Sequence, residues 1–349
     1  MLKTPYPIDR RYFLKSTAAG VAAFGTGIQL MLPDDAYAAA KVIIKYDWLI
    51  SNGQIGDVIA VENGYFEEVG LEVEFSPGGP NSSTVPPVVS GAAALGQFSE
   101  TSQLFNARAN GVPVKILACG YRTGPYAFTS KPEKPLRSVA DLKGLRIGIQ
   151  PTARFLIDAI AAKNGIDIDD LEVFNVGFDK APLVRGEVDA IGGWITNTQA
   201  LSIIGEDRID LLVSDLGLPS YADVYFATDE AIATNTDTLS RFIGAVSKGW
   251  GWTHGNPQAA VKKVIAAHPS LSLEWELKTI DLILKMSFDS ATARNGWGTF
   301  DPASLEEQIA IYDQIGQYPN GRPKLDDVYT LKILEMTADL RPKLNAPGA

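Results

Sequence analysis

The sequence predicts an α/β protein of two lobes followed by a helical C-terminal part. Three observations carry this reading. Short apolar runs of strand length alternate with amphipathic segments of helical period from residue 42 to about 213, the pattern of sheets covered by helices. The alternation occurs twice in the same order. Strand Leu71–Phe75, a helix ending at Ser90-Gly91, strand Ala93–Phe98 and polar turn Ser99–Thr101 form one series. Strand Leu171–Val176, a helix ending at Arg185-Gly186, strand Val188–Gly192 and polar turn Trp194–Asn197 form the other. Two extended stretches, Tyr121 to Ser130 and Leu218 to Thr228, separate the series, and two series joined by two crossings imply two lobes with a cleft between them.

The first 38 residues read as an export signal. Asp9-Arg10-Arg11-Tyr12-Phe13-Leu14-Lys15 resembles the twin-arginine motif, a weakly apolar Ala/Gly run follows to Leu32, and Ala36-Tyr37-Ala38 offers small residues at a cleavage spacing. Cleavage near Ala38 would place the mature chain in the periplasm. The run is too short and too weakly apolar for a permanent span of about 20 residues.

Val42 to Trp48 is the first mature strand. Polar turn Ser51–Gln54 leads into a helix through Ile55, Val58 and Ile59 that stops at Asn63-Gly64. In Leu71–Phe75 apolar residues alternate with Glu72 and Glu74, which marks a strand with one wet face. Val85 to Ser90 is a helix that tolerates Pro86 in its first turn. Gln103 to Asn110 is a helix opened by the Ser99–Thr101 turn, and Pro113 to Cys119 is a further strand that holds the single cysteine as a small apolar residue. Helix Lys180–Arg185, a helix reaching Ile204 and strand Asp210–Val213 complete the second series. From Thr236 the chain is helical, with further starts at Pro257, Ser272, Asp301-Pro302 and Asp326.

Between the two series lies Leu145 to Gly165, LRIGIQPTARFLIDAIAAKNG. It reads as a buried strand, a polar turn and an amphipathic helix, with Thr152 as helix cap. Such a turn lies at the carboxyl end of a strand, where open α/β sheets place ligands against the free N–H groups of a helix start. Arg154 beside those groups could complete a site for a carboxylate, sulfonate or phosphate.

Composition excludes several function classes. Charged residues make up 21% of the 349 and the net charge is −10, which argues against a nucleic-acid surface. One cysteine rules out an intrachain disulfide framework and a multi-thiolate zinc site. Two histidines, His254 and His268, sit near helix ends, where a cation complements the helix dipole. No metal or cofactor set emerges.

Several pieces in order resemble the periplasmic solute-binding proteins of ABC importers, in the branch for thiamine pyrimidine precursors and sulfonates such as taurine. They are Gly64-Tyr65-Phe66-Glu67-Glu68-Val69-Gly70-Leu71-Glu72-Val73, Val89-Ser90-Gly91, Gly111-Val112-Pro113-Val114, Ser138 through Gly144, Asn175 through Asp179, Gly186 through Ala190, Tyr221 through Val224 and Lys248-Gly249-Trp250. The resemblance implies a type II binding-protein fold, with lobe 1 from residues 41–125 and 226–349 and lobe 2 from 126–225. It also implies a small-molecule ligand, an ABC permease and ATPase as partners, a monomer, and no catalysis. At Gly193-Trp194-Ile195-Thr196-Asn197-Thr198 the branch often carries a Glu in the last position, which receives a pyrimidine amine. Here the position is Thr198, which counts against an aminopyrimidine held in that way. Trp48, Phe98, Tyr121, Trp194 and Tyr221 favour an aromatic or heteroaromatic ligand.

The expected ligand-binding set is therefore Trp48, Asn52, Ser99 and Glu100 on one wall, and Thr152, Arg154, Trp194, Thr196 and Asn197 on the other. Tyr221 stands at the hinge, Trp48 and Trp194 serve as the pocket walls, Arg154 receives an anionic end and Glu100 a donor. An enzyme on the same scaffold, such as a desulfinase or pyrimidine synthase, and a periplasmic sensor module are the alternatives.

Overall fold

The computed structural model describes residues 39–79 and 82–348; the expected export signal over 1–38 lies outside the described residues. Residues 39–349 make one compact unit. Among the described residues ten strands form two five-stranded sheets. They are β1 (Ala40–Tyr46), β2 (Leu71–Ser76), β3 (Leu95–Glu100), β4 (Val114–Tyr121), β5 (Tyr126–Ser130), β6 (Arg146–Ile149), β7 (Glu172–Asn175), β8 (Ala190–Trp194), β9 (Ile209–Leu212) and β10 (Ala222–Thr228).

The first sheet has the order β2-β1-β3-β10-β4 and the second β7-β6-β8-β5-β9. Each is three parallel strands, then one antiparallel strand, then an outer strand. The alternating apolar pattern of Leu71–Phe75 is explained by its place: β2 is the edge of its sheet, with one face wet.

The alternation of strands and helices argues parallel α/β sheets; both sheets are mixed. The antiparallel members, β5 and β10, are the segments read as extended crossings. A strand that arrives directly from the other sheet, without a helix returning it along the same face, is free to run the opposite way. The connections between the sheets shrink accordingly to residues 122–125 and 213–221. Gly124 N–H donates to the Ser220 carbonyl at 2.8 Å, so the two connections are tied to each other.

Several boundaries also move. Trp48, expected to end the first strand, lies beyond it. Ser99 and Glu100 are the last residues of β3, and helix Thr101–Ala109 follows without an intervening turn. Glu100 makes this possible by capping the helix: its carboxylate accepts from the backbone of the third helical residue, while Gln103 Oε1 accepts Glu100 N–H at 3.0 Å. Gly193 and Trp194 likewise belong to β8. Thr152 caps nothing, because Pro151–Ala153 forms a 3₁₀ turn in which Ala153 N–H already donates to the Gln150 carbonyl at 2.9 Å, and the helix starts at Arg154. The helical tail comprises Thr236–Gly255, Pro257–Ala267, Leu273–Ser287, Pro302–Gln314 and short pieces, including the unexpected Ser290–Asn295 and Lys332–Met336.

Most buried side chains join one core that runs through both sheets and the tail. Trp250 and Trp297, fully buried, stack at 5.7 Å between centroids, as packing rather than ligand contacts. Helix Ile55–Glu62 crosses helix Thr236–Gly255 so closely that a Cβ on Gly249 would lie 2.0 Å from the Gly56 carbonyl oxygen, and one on Gly56 would lie 2.0 Å from the Trp250 ring. Glycine is needed at both positions. Gly249→Ala is expected to lower stability by about 3 kcal/mol through overpacking, measured as a shift of the urea midpoint; an unchanged midpoint would show that the two helices can separate at no cost.

Candidate functional site

Both connections join the sheets at the same end. The first residue of β10, Ala222, is opposite Glu100, the last of β3, and the first residue of β5, Tyr126, is opposite Trp194, the last of β8. The carboxyl ends of the parallel strands in the two sheets therefore face one another, and the loops that follow them meet.

On the first sheet, β1 runs into Asp47 and Trp48. The Asp47 carboxylate accepts Ser99 N–H at 2.7 Å and Gln103 Nε2 at 3.0 Å, which fixes the end of β1 against that of β3. The carbonyls of Asp47 and Trp48 accept from Gly79 and Gly78, so the backbone beneath the indole is held on both sides. Trp48 is 42% exposed and its ring lies 6.3 Å from that of Phe178, 67% exposed, which stands on the loop after β7 of the second sheet. Glu100 is buried; one carboxylate oxygen caps the following helix, and Oε1 has no partner. Burial, with the nearby Asp47 adding, pushes its pKa up to about 7. Asn52 is buried, its Nδ2 donating to the Glu276 carbonyl at 2.9 Å while Oδ1 has no partner.

On the second sheet, Trp194 is half-buried at the end of β8, Thr196 is half-buried beyond it, and Asn197 is exposed and makes no helix-capping bond. Thr152 is exposed on its 3₁₀ turn. Arg154 is already engaged, its Nε donating to Asp158 at 2.9 Å one helical turn away. That pairing engages one nitrogen of the group expected to hold an anion. Tyr221 is buried, its hydroxyl accepts Asp301 N–H at 3.0 Å, and Arg122 lies over its ring at 5.0 Å. It braces the connection against the helical tail. Phe98 stacks on Phe226 at 4.2 Å and Tyr121 packs edge-on to Trp250, so of the five expected rings only Trp48 and Trp194 keep accessible faces.

Four residues outside the expected set shape the same region. Lys180 is buried with Nζ on the Gly192 carbonyl at 2.7 Å, and burial lowers its ammonium to about 8 against the pull of Asp179 and Asp210. Gln150, beyond β6, accepts from Tyr126 Oη at 2.8 Å and donates to the Gly177 and Gly192 carbonyls at 3.0 and 3.2 Å. Asp47 and Phe178 had a signal, a carboxylate near the end of one predicted strand and an aromatic just past another; Lys180 had none.

The rims touch farther out. Thr198 Oγ1 lies 2.6 Å from Thr279 Oγ1, Phe155 packs on Tyr312 at 5.4 Å, and Lys163 pairs with Glu307. Thr198 thus contacts the C-terminal tail. Two surface hollows of about 360 and 330 Å³, around Arg241 and Val73, involve none of the ten expected residues.

The raised carboxyls carry a pH signature. Glu100 and Asp57, the latter held by Tyr46 and Tyr225 hydroxyls and likewise near 7, keep their protons in the folded chain at pH values where the unfolded chain has lost them. Their contribution to stability is complete below about pH 4 and is lost as the pH rises through 7. The ligand-free protein is expected to melt at lower temperature at pH 8 than at pH 5, and Glu100→Gln is expected to flatten part of that slope; an equal slope in the variant would remove Glu100 from the account.

A family model described as NMT1/THI5 like matches residues 52–260. The formylaminopyrimidine-binding protein of Halalkalibacterium halodurans is 26% identical over 298 residues, covering 83% of this chain and 90% of that protein. The 4-amino-5-hydroxymethyl-2-methylpyrimidine phosphate synthase of Aspergillus parasiticus is 25% identical over 249 residues, 66% of this chain and 71% of that enzyme. Among solved structures, the periplasmic aliphatic sulphonate binding protein SsuA of Escherichia coli superposes with a TM-score of 0.64 at 15% identity, covering 85% of this chain and 99% of that one. The two mixed sheets and their order are those of the type II periplasmic binding-protein fold, and with the match spanning well over half of its length, this chain belongs to the NMT1/THI5-like family.

Proposed function

We propose that the chain is the solute-capturing component of an ABC importer. It works in the periplasm as a monomer, closing residues 126–225 against residues 41–125 and 226–349 around a small planar organic solute and handing it to a permease and its ATPase. The observation that supports this most is the approach of Trp48 and Phe178, two exposed rings carried by different sheets. Exposed aromatic faces that meet where two bodies join can take a flat guest between them, and ring stacking adds about 0.5–1.5 kcal/mol to the burial of its surface. The polar groups at and after the strand ends, half-buried Asp47 and buried Asn52 and Glu100, would orient it. Hinged closure draws on the short tied connections at 122–125 and 213–221.

The chain's own residues support capture without covalent chemistry. Cys119 is fully buried in β4, where burial pushes its thiol up and away from the reactive thiolate. His254 binds the Asn345 carbonyl with Nε2 at 2.8 Å and packs on Phe288, and His268 ends its helix; neither is at a strand end of either sheet.

The test is native mass spectrometry of the protein purified from its own periplasm, followed by calorimetry of the stripped protein with pyrimidines, flavins, sulfonates and aromatic acids. A retained or rebound organic solute is expected, with affinity weakened at least tenfold by Trp48→Ala and by Trp194→Ala, about 1.4 kcal/mol each. No retained solute and no heat with any of the panel would remove the reading.

A further inference from the structure

The loop after β7, residues 176–180, carries the exposed Phe178 ring and is tied down on both sides of it. Before the ring, Val176 N–H donates to the Ile149 carbonyl at 3.0 Å, and the Gly177 carbonyl accepts Gln150 Nε2 at 3.0 Å. After it, Lys180, 4% exposed, donates from Nζ to the Gly192 carbonyl at 2.7 Å. Gln150 Nε2 reaches that same carbonyl at 3.2 Å, and its Oε1 is fixed by the Tyr126 hydroxyl at 2.8 Å. Asp179 accepts Ala181 N–H at 3.0 Å, which starts the next short helix directly. Phe178 is left standing between the ties.

The sequence makes room for this grip. A Cβ on Gly193 would lie 2.3 Å from Lys180 Nζ, and one on Gly192 would lie 2.5 Å from the Tyr126 hydroxyl. Successive residues of a strand face opposite sides, so the two glycines admit the lysine on one face of β8 and the tyrosine on the other. The lysine is an expensive way to fill that space. Lysine is seldom buried without a counter-charge, and no carboxylate forms an ion pair with Lys180 among the described residues. An apolar chain of the same length would pack there without desolvating a charge. What the ammonium adds is a charge-assisted bond to the end of β8, a stronger hold on the loop than a neutral donor gives.

The hold matters because of what the loop presents. Phe178 and Trp48 face each other from different sheets at 6.3 Å between centroids. Two exposed rings on slack loops would collapse on one another or swing into water. A ring fixed from behind keeps its face available, and the ordering of that wall is complete before a guest arrives.

We propose that Lys180 and Gln150 are positioning residues for capture, which hold Phe178 opposite Trp48 by gripping the Gly192 and Gly177 carbonyls. The proposal rests on the solute-capture reading and adds the groups that set its second aromatic wall.

Fluorine NMR of the ligand-stripped chain, grown with fluorine-labelled tryptophan, reads the ring contact with no guest present. Trp48→Phe identifies the Trp48 line, and Phe178→Ala is expected to shift that line by removing its neighbour's ring current. Lys180→Met is expected to move it at least half of the way to the Phe178→Ala position. Its melting temperature is expected to stay equal or rise, because a buried ammonium is gone and the Gly192 carbonyl keeps its bond from Gln150. A Trp48 line that Phe178→Ala does not shift, or that Lys180→Met leaves in place, overturns the proposal. So does a shift accompanied by a lower melting temperature, the mark of a packing role. If Lys180→Met does not fold, Gln150→Leu, which removes the other tie, carries the same reading of the line. The solute retained from the periplasm, counted by native mass spectrometry, is expected to fall at least fivefold in Lys180→Met; an undiminished load overturns the role in capture. If the parent chain retains no solute and binds none of the pyrimidines, flavins, sulfonates and aromatic acids, the capture reading falls, while the Trp48 line still decides whether Lys180 holds the ring.

Discussion

The arrangement depends on one topological constraint: the chain passes between its two sheets only at the carboxyl ends of their parallel strands. Ala222 starts β10 opposite the end of β3, and Tyr126 starts β5 opposite the end of β8. Once that is fixed, the loops after β1, β6, β7 and β8 and the helix start after β3 have nowhere to go but toward each other. The pairing of Gly124 with Ser220 keeps the two connections side by side, and Arg122 and Tyr221 fasten them to the helical tail through Asp289, the Thr299 carbonyl and Asp301. A rigid anchor beside a short link concentrates any bending in the few residues between.

The same constraint explains the electrostatics. Strand ends bring backbone N–H groups and acidic side chains into a confined volume with little water. Where a carboxylate meets donors it is settled, as Asp47 is by Ser99 and Gln103. Where an oxygen finds none, as with Glu100 Oε1 and Asp223 Oδ2, burial favours the protonated, neutral carboxyl. Burying such groups costs stability, the usual companion of a binding site.

The layered architecture was legible from the sequence because its signals are local. Alternation in Leu71–Phe75 located the edge strand, Gly91 and Gly186 marked helix ends, and the doubled series exposed two sheets. What the sequence hid was direction and partnership. Nothing local in Tyr126–Ser130 or Ala222–Thr228 says that a segment will pair antiparallel with strands of a distant series, since the pairing depends on contacts made after the whole chain has folded. The site was legible to the same extent. Trp48 and Trp194 announced themselves as aromatics at strand ends. Phe98 and Tyr121 look alike in sequence yet turn into the core, because side-chain direction alternates along a strand and register decides which face is sealed. Arg154 could be placed at a helix start, whereas its pairing with Asp158 one turn later needed the folded helix to be seen. Thr198 was recognisable as a departure, whereas its contact with Thr279 joins residues 81 positions apart.

The lone thiol of this chain is sealed in β4, the outer strand of its sheet, where Cys119 is fully buried. Chemistry aimed at sulfur will therefore pass the native protein by and find only cysteines placed there by design. Lys163 and Glu307, which meet across the outer rims, offer a place to put two of them. Dyes attached at such points would brighten or dim as the rims approach and part, turning the molecule into a gauge of whatever it holds.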